Sequence, residues 1–225
     1  MNTLQSERCA LSFSGGKDSI LALDRAVRAG YRIEYLLTMY DAESQRVRFH
    51  NVPINLIQAQ ADALGIPLLH YGYTPASFES VFQQALGDLR QRDMTTIIFG
   101  DIHLVDVRGW YEERTTAAGL IHREPLWGDD PGQLVRECIA RHYQATITCI
   151  ELERAKPEWL GATLTEELVR EFEQAGIDVC GERGEYHTFV IAGPLFSQEV
   201  PVKLGEEVTN GRFKVLDIAL GEDII

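Results

Sequence analysis

The chain has 225 residues with 21 Lys or Arg against 34 Asp or Glu, which gives a formal net charge of −13 and a pI near 4.9. Surfaces that hold RNA or DNA replace condensed counterions with Lys and Arg, so this balance weighs against a nucleic-acid partner. At 45% apolar residues the chain can bury a substantial core, which excludes a disordered or fibrous protein and fits one large domain or a domain with a smaller appendage.

No run of about 18 apolar residues occurs, and the polar start Met1 to Arg8 is not followed by an apolar signal segment. A cytoplasmic protein without a membrane span is therefore expected. Cys9, Cys138, Cys149 and Cys180 form no CxxC pair and are expected as buried thiols in a reducing compartment.

Residues 9–13 form a short apolar run that ends in a Gly-rich turn, and residues 19–29 carry Ile20, Leu21, Leu23 and Val27 on one helical face, stopped at Gly30. The unit recurs. Residues 33–39 predict a strand, 53–64 a helix closed by Gly65, 68–73 a strand, 78–89 a helix and 96–99 a buried strand. Strands alternating with helices indicate right-handed βαβ crossovers, hence a parallel sheet covered on both faces, with ligands beyond the carboxyl ends of the strands. The loops after Phe13, Met39 and Phe99 are the candidates.

After residue 128 the pattern changes. Asp130-Pro131 caps a helix through Arg141, residues 145–150 read as a strand, and Thr163-x-x-Glu166 reads as a capping box that opens a helix ending at Gly176. Strands follow at 187–192, 200–209 and 212–220, the last two joined through Asn210-Gly211, a type I′ hairpin signal. The fold class is α/β: a nucleotide-binding domain over 1–128, then a smaller α+β domain over 129–225. The hairpin offers an edge for a homodimer.

Ser14-Gly-Gly-Lys-Asp-Ser19 lies between the first strand and the first helix. Backbone N–H groups that glycine lets a ligand approach, two hydroxyls, Lys17 and the positive end of the helix dipole together suit phosphate. A Walker A loop would need Gly where Leu11 stands and Ser or Thr where Asp18 stands. An acid inside a phosphate loop repels the ligand unless a cation bridges them, so Asp18 implies Mg²⁺. The plain alternative is an ordinary turn with Asp18-Ser19 as a helix cap.

This string resembles the pyrophosphate loop of the ATP pyrophosphatase (PP-loop) superfamily. Phe99-Gly-Asp-Ile102, Glu124-Pro-Leu-Trp127, Gly181-Glu-Arg-Gly-Glu-Tyr-His-Thr188 and Gly193-Pro-Leu-Phe196 narrow the resemblance to the diphthine–ammonia ligase (diphthamide synthase) family, from about residue 9 to 200. The resemblance implies an ATP-dependent ligase. A substrate carboxylate attacks the α-phosphorus, pyrophosphate leaves, and ammonia displaces AMP from the acyl-adenylate to give an amide. Ser14, Gly15, Gly16, Lys17 and Ser19 would hold the pyrophosphate, Asp18 the magnesium, and Met39, Gly100 and Asp101 would flank the nucleoside. Lys17 and Asp18 would be catalytic.

By the same resemblance, Glu182, Glu185 and His187 would serve the substrate, either by binding a cationic group or ammonium or by sharing Mg²⁺. The family pattern carries Gly at the position of Arg183 and Glu at that of His187. Its substrate is a modified histidine on elongation factor two, and a small-molecule, cobalamin-related carboxylate is the alternative acceptor. Without paired cysteines or a basic surface a PP-loop tRNA modifier fits less well, and a non-catalytic nucleotide sensor has no need of Asp18. Arg114 reads as a helix-face ion pair beside core Trp110 and Tyr111, Glu124 to Trp127 as the segment closing the first domain, and His50, His70, His103, His122 and His142 as lone histidines without metal-ligand spacing.

Overall fold

A computed structural model describes residues 7–221. Most of the polar start, 1–6, lies outside the described residues. The chain divides into two compact units. The first comprises residues up to Ser14, Asp18–Gln45 and Ile66–Gly128, and the second comprises Gly15–Lys17, Arg46–Gly65 and Asp129 onward.

The first unit is built on a parallel sheet of β1 (Arg8–Ser12), β2 (Arg32–Asp41), β5 (Leu68–Tyr73), β6 (Thr96–Ile98) and β7 (Ile121–Arg123), in the order β5-β2-β1-β6-β7. Strand β1 is at the centre because Cys9, Ala10 and Leu11 are all fully buried, as a strand with neighbours on both edges and cover on both faces requires. Helix α1 (Lys17–Arg28) buries Ile20, Leu21, Leu23 and Ala26. Helix α3 (Phe78–Gln91) lays Phe82, Ala85, Leu86 and Leu89 on Ala10, Leu37, Ile97 and Phe99. Trp110 and Tyr111 of α4 (Val105–Ala117) complete that layer; Arg114 is in an ion pair, as expected, but its partner Glu79 lies on α3 rather than on its own helix face, and its guanidinium stacks 4.0 Å over Trp110.

The second unit holds an antiparallel sheet, in the order β10-β11-β8-β9, of β8 (Gln144–Glu151), β9 (Tyr186–Ala192), β10 (Val202–Asn210) and β11 (Phe213–Leu220). With it go α5 (Pro131–Ala140), α6 (Glu166–Ala175), α2 (Ile54–Leu64) and a small hairpin of β3 (Arg46–Val47) and β4 (Val52–Pro53). That hairpin, β7 and a 3₁₀ turn at Pro157–Trp159 go beyond the sequence reading.

Three local expectations need correction. Helix α1 begins at Lys17 rather than Ser19, which brings the loop lysine into its first turn. The cap of α6 is Thr165, whose hydroxyl accepts from Leu168 N at 3.2 Å; Thr163 is drawn into backbone pairing with Thr146, so residues 162–164 stay extended and the helix starts later. The C-terminal turn centres on Gly211 and Arg212, with Asn210 paired to Phe213 and positive φ, +60°, at Gly211. Positive φ at the first central position alone is the type II′ pattern, not type I′. All four cysteines are free and buried, and burial pushes the Cys9 thiol up to about 11 and that of Cys149 to about 12.

Candidate active site

Phe13 ends β1 by donating its N–H to Leu37 O at 2.8 Å, and the chain turns through Ser14 to the first turn of α1. In the first unit, Ser14 Oγ donates to Ser19 Oγ at 3.4 Å. Gly100 lies against the backbone of this turn: a Cβ there would sit 3.1 Å from Asp18 C and O. That close approach explains why glycine follows the buried strand β6. Met39 is partly buried and packs against the hydrophobic core that includes Leu37, Phe82 and Phe99.

Asp101, next to Gly100, is largely withdrawn from solvent, and its carboxyl is pushed up to about 6 by burial, then by Glu124, with Asp18 adding to the rise and His122 opposing it. The Glu124 side chain is itself buried, with Arg108 at 3.0 Å and the His122 ring at 2.9 Å. The segment Glu124–Trp127 therefore does more than close the unit: it places a carboxylate that acts on Asp101. Asp18, Asp101 and the Ser14 and Ser19 hydroxyls are oxygen donors of the kind a hard cation takes. Burial is the main cause of the raised Asp101 carboxyl, and the nearby acids Glu124 and Asp18 add a repulsion that a divalent ion would relieve.

In the second unit, Gly15 has φ +79° and no space for a side chain, since a Cβ would lie 2.3 Å from Gln60 Oε1 and 2.7 Å from Ile57 Cδ1. Its carbonyl accepts from Val190 N at 2.9 Å and from Gln60 Nε2 at 3.0 Å. At Gly16 a Cβ would meet His50 Cε1 at 2.6 Å and Thr188 O at 3.0 Å. Only glycine fits at either position.

The backbone N–H of Lys17 donates to Thr188 Oγ1 at 3.0 Å, satisfying a donor that a helix start leaves over. The Lys17 ammonium is buried, donates to the carbonyl of Cys180 and lies 4.9 Å over the Tyr186 ring. The loop lysine is thus anchored to the Gly181–Tyr186 segment.

Glu185 is 3% exposed and accepts from Arg154 Nη1 at 3.1 Å. Arg154 also donates to buried Glu151 and, at 2.7 Å, to Arg183 O, and Arg212 reaches Glu151 at 3.2 Å. Glu185 Oε2 is buried without a hydrogen-bond partner. The carboxylate read as a cation ligand is already paired with a guanidinium. His187 stacks on Phe49 at 5.9 Å and tilts against His50 at 4.8 Å. Burial, then His50, then Lys17 hold its imidazole well below the usual range, hence neutral.

Three residues here were missed by sequence reasoning. His50 donates from Nδ1 to Thr188 O at 3.0 Å and covers Gly16. Thr188 receives the Lys17 amide, and Gln60 grips Gly15. A signal existed for Gln60, a polar residue on the face of α2 that carries Leu56, Ile57 and Ala61. None existed for His50, whose place depends on the β3–β4 hairpin.

Among the described residues no group of three or more His, Cys, Asp or Glu is arranged as a metal cluster. Comparison with known proteins decides the lineage. Residues 7–121 match the diphthamide synthase N-terminal domain and residues 130–223 the diphthamide synthase C-terminal domain. The chain belongs to the diphthamide synthase family. It is 28% identical over 228 aligned residues to the diphthine–ammonia ligase of Mus musculus, covering 90% of this chain and 85% of that protein. The human diphthine–ammonia ligase is 27% identical over the same shares, and that of Danio rerio 26% over 88% of this chain and 87% of its own length. No helix among the described residues is long and apolar enough to cross a membrane.

Proposed function

We propose that this diphthamide synthase family member is an ATP-dependent carboxylate–ammonia ligase that forms AMP and pyrophosphate. The observation that carries the reading is the loop. Gly15 and Gly16 admit no side chain, and the helix N-terminus opens at Lys17 with Asp18 in its first turn. Such a loop offers backbone donors and a helix dipole to a phosphate group.

A carboxylate is a poor electrophile because it is an anion without a usable leaving group. One of its oxygens attacks the α-phosphorus, the bond to the bridging oxygen breaks, and pyrophosphate departs with the electron pair. Ammonia then attacks the acyl carbon, AMP leaves, and the nitrogen gives up a proton. In this reading Ser14, Gly15, Gly16, Lys17 and Ser19 take the pyrophosphate portion, and Met39, Gly100 and Asp101 the nucleoside side. The work of the chain is positioning and charge stabilisation, where one well-aimed donor is worth about 3 kcal/mol. Mg²⁺ held by Asp18, with Asp101 beside it, would supply charge neutralisation of the phosphates. Glu182 and His187 serve the acceptor.

The acceptor in the first reading is diphthine on elongation factor two, by analogy with the named relatives. A second reading, amidation of a small-molecule carboxylate, draws on the Arg154–Glu185 pair: a carboxylate already bound to a guanidinium is a weak ligand for a cationic substrate group. Incubating the protein with ATP, Mg²⁺ and ammonium plus either acceptor class tests both. AMP and pyrophosphate are the expected products, and Asp18→Asn is expected to lower turnover by about 10²-fold or more. ADP as the main product would overturn the reading.

A further inference from the structure

We infer that Gln60 is a positioning residue for the pyrophosphate loop, one that locks the Gly15–Gly16 peptide in a single orientation. The inference rests on the reading of that loop and adds to it a residue outside the loop.

Gln60 lies on α2, is 0% exposed, and spends both amide hydrogens on backbone carbonyls: Gly15 O at 3.0 Å and Val190 O at 2.6 Å. Val190 N donates to the same Gly15 carbonyl at 2.9 Å. One carbonyl thereby holds two donors. The reverse orientation of the Gln60 amide would set its oxygen against two carbonyl oxygens, so the side chain has one workable state. Its Oε1 carries no hydrogen-bond partner and closes the space where a Gly15 side chain would be.

A peptide between two glycines is the most easily flipped kind in a chain, because neither residue restricts φ. The flip is opposed here from outside the loop. Turning the Gly15 carbonyl away would leave Val190 N–H and a Gln60 hydrogen buried and unpaired. In a planar trans peptide the C=O and the following N–H point in opposite directions, so fixing the Gly15 carbonyl also fixes the Gly16 N–H. A loop that receives a phosphate group serves catalysis only if its shape is already set when charge develops on the leaving group.

The test compares inorganic pyrophosphate and AMP as ligands of the full chain, with thermal unfolding measured alongside. Gln60→Met keeps the volume and removes both donors. Expected is an inhibition constant for pyrophosphate at least about tenfold higher, with AMP affinity within about twofold of the wild type. Gln60→Asn keeps an amide one methylene too short to span both carbonyls; it is expected to show the same selective loss and decides the matter if Gln60→Met does not fold. Unchanged pyrophosphate binding in a folded variant overturns the inference. So does a parallel loss of both ligands, or loss of the fold in both variants, either of which assigns Gln60 to stability alone. A wild-type protein that binds AMP but not pyrophosphate removes the reading of the loop and the role of Gln60 with it, whereas wild-type binding matched by Gln60→Met removes Gln60 alone.

Discussion

Asp101 in the first unit and Glu185 in the second are both carboxylates withdrawn from water, and they are treated in opposite ways. Glu185 has Arg154 at 3.1 Å, and the same guanidinium serves Glu151. Asp101 faces Glu124 and Asp18, with His122 as the countervailing neighbour, and its carboxyl rises to about 6. A charge whose partner is built into the fold is a structural element. A charge whose fold supplies repulsion is held ready for a cation that arrives with the ligand. On this contrast Glu185 is held by the fold of the Gly181–Tyr186 segment, and the proposed role of Asp101 at the nucleotide edge is the one that a cation would serve.

The sharpest way to break this contrast is to take away the partner of Glu185. Arg154→Met leaves Glu185 with no guanidinium and Glu151 with Arg212 only. Removing one member of a buried ion pair typically costs about 3–5 kcal/mol; because Arg154 is itself 36% exposed, a loss of roughly 2–4 kcal/mol is expected. Urea unfolding measures it. Adding Glu185→Gln to Arg154→Met should recover part of the loss, since the orphaned charge is then gone. A single-variant loss below about 1 kcal/mol would mean that Glu185 does not depend on its partner.

Asp101 should respond with the opposite sign. Its folded carboxyl titrates near 6 against an ordinary 3.8, so between those values the folded state holds a proton that the unfolded chain has released. Stability therefore falls as pH rises from about 4 to about 6, and the full penalty stands above that window. Asp101→Asn removes the penalty. The variant is expected to be more stable than the wild type at pH 8 by roughly 1–3 kcal/mol and equal to it below pH 4. Thermal unfolding at the two pH values checks the sign. Mg²⁺ added at pH 8 should narrow the gap by stabilising the wild type alone. A variant less stable than the wild type at pH 8 would show that the carboxylate has a favourable partner after all.

Little of this contrast could be read along the chain, and the reason is where each partner comes from. The parallel sheet was legible because its strands and helices follow one another with clear periodicity, and the Gly-rich turn after the first strand because its residues are consecutive. The cap at Thr165 was misplaced because Thr146, on β8, pulls Thr163 into an extended pairing that no local pattern displays. Arg154 lies 31 residues before Glu185 and His50 lies 138 before Thr188, so each depends on strand pairing before it can be seen. Gln60 is intermediate: a glutamine on an apolar helix face must have buried partners, which flags the residue but not Gly15 and Val190.

The smallest effect provides the control for the comparison. Glu79 and Arg114, in the first unit, are joined at 2.7 Å, shorter than the Arg154–Glu185 contact at 3.1 Å, yet Glu79 is 54% exposed. Water solvates its carboxylate whether or not the guanidinium is there, and Arg114 retains its stacking on Trp110 and its bond to Trp110 O at 3.1 Å. Glu79→Gln is therefore expected to change stability by no more than about 0.5 kcal/mol, with that difference shrinking further in molar salt. Measured by the same urea titration as Arg154→Met, a cost of similar size in the two variants would mean that distance rather than burial ranks these pairs. The opposite treatment of Asp101 and Glu185 would then lose its physical basis, because that contrast requires carboxylates to be expensive only where water has been removed.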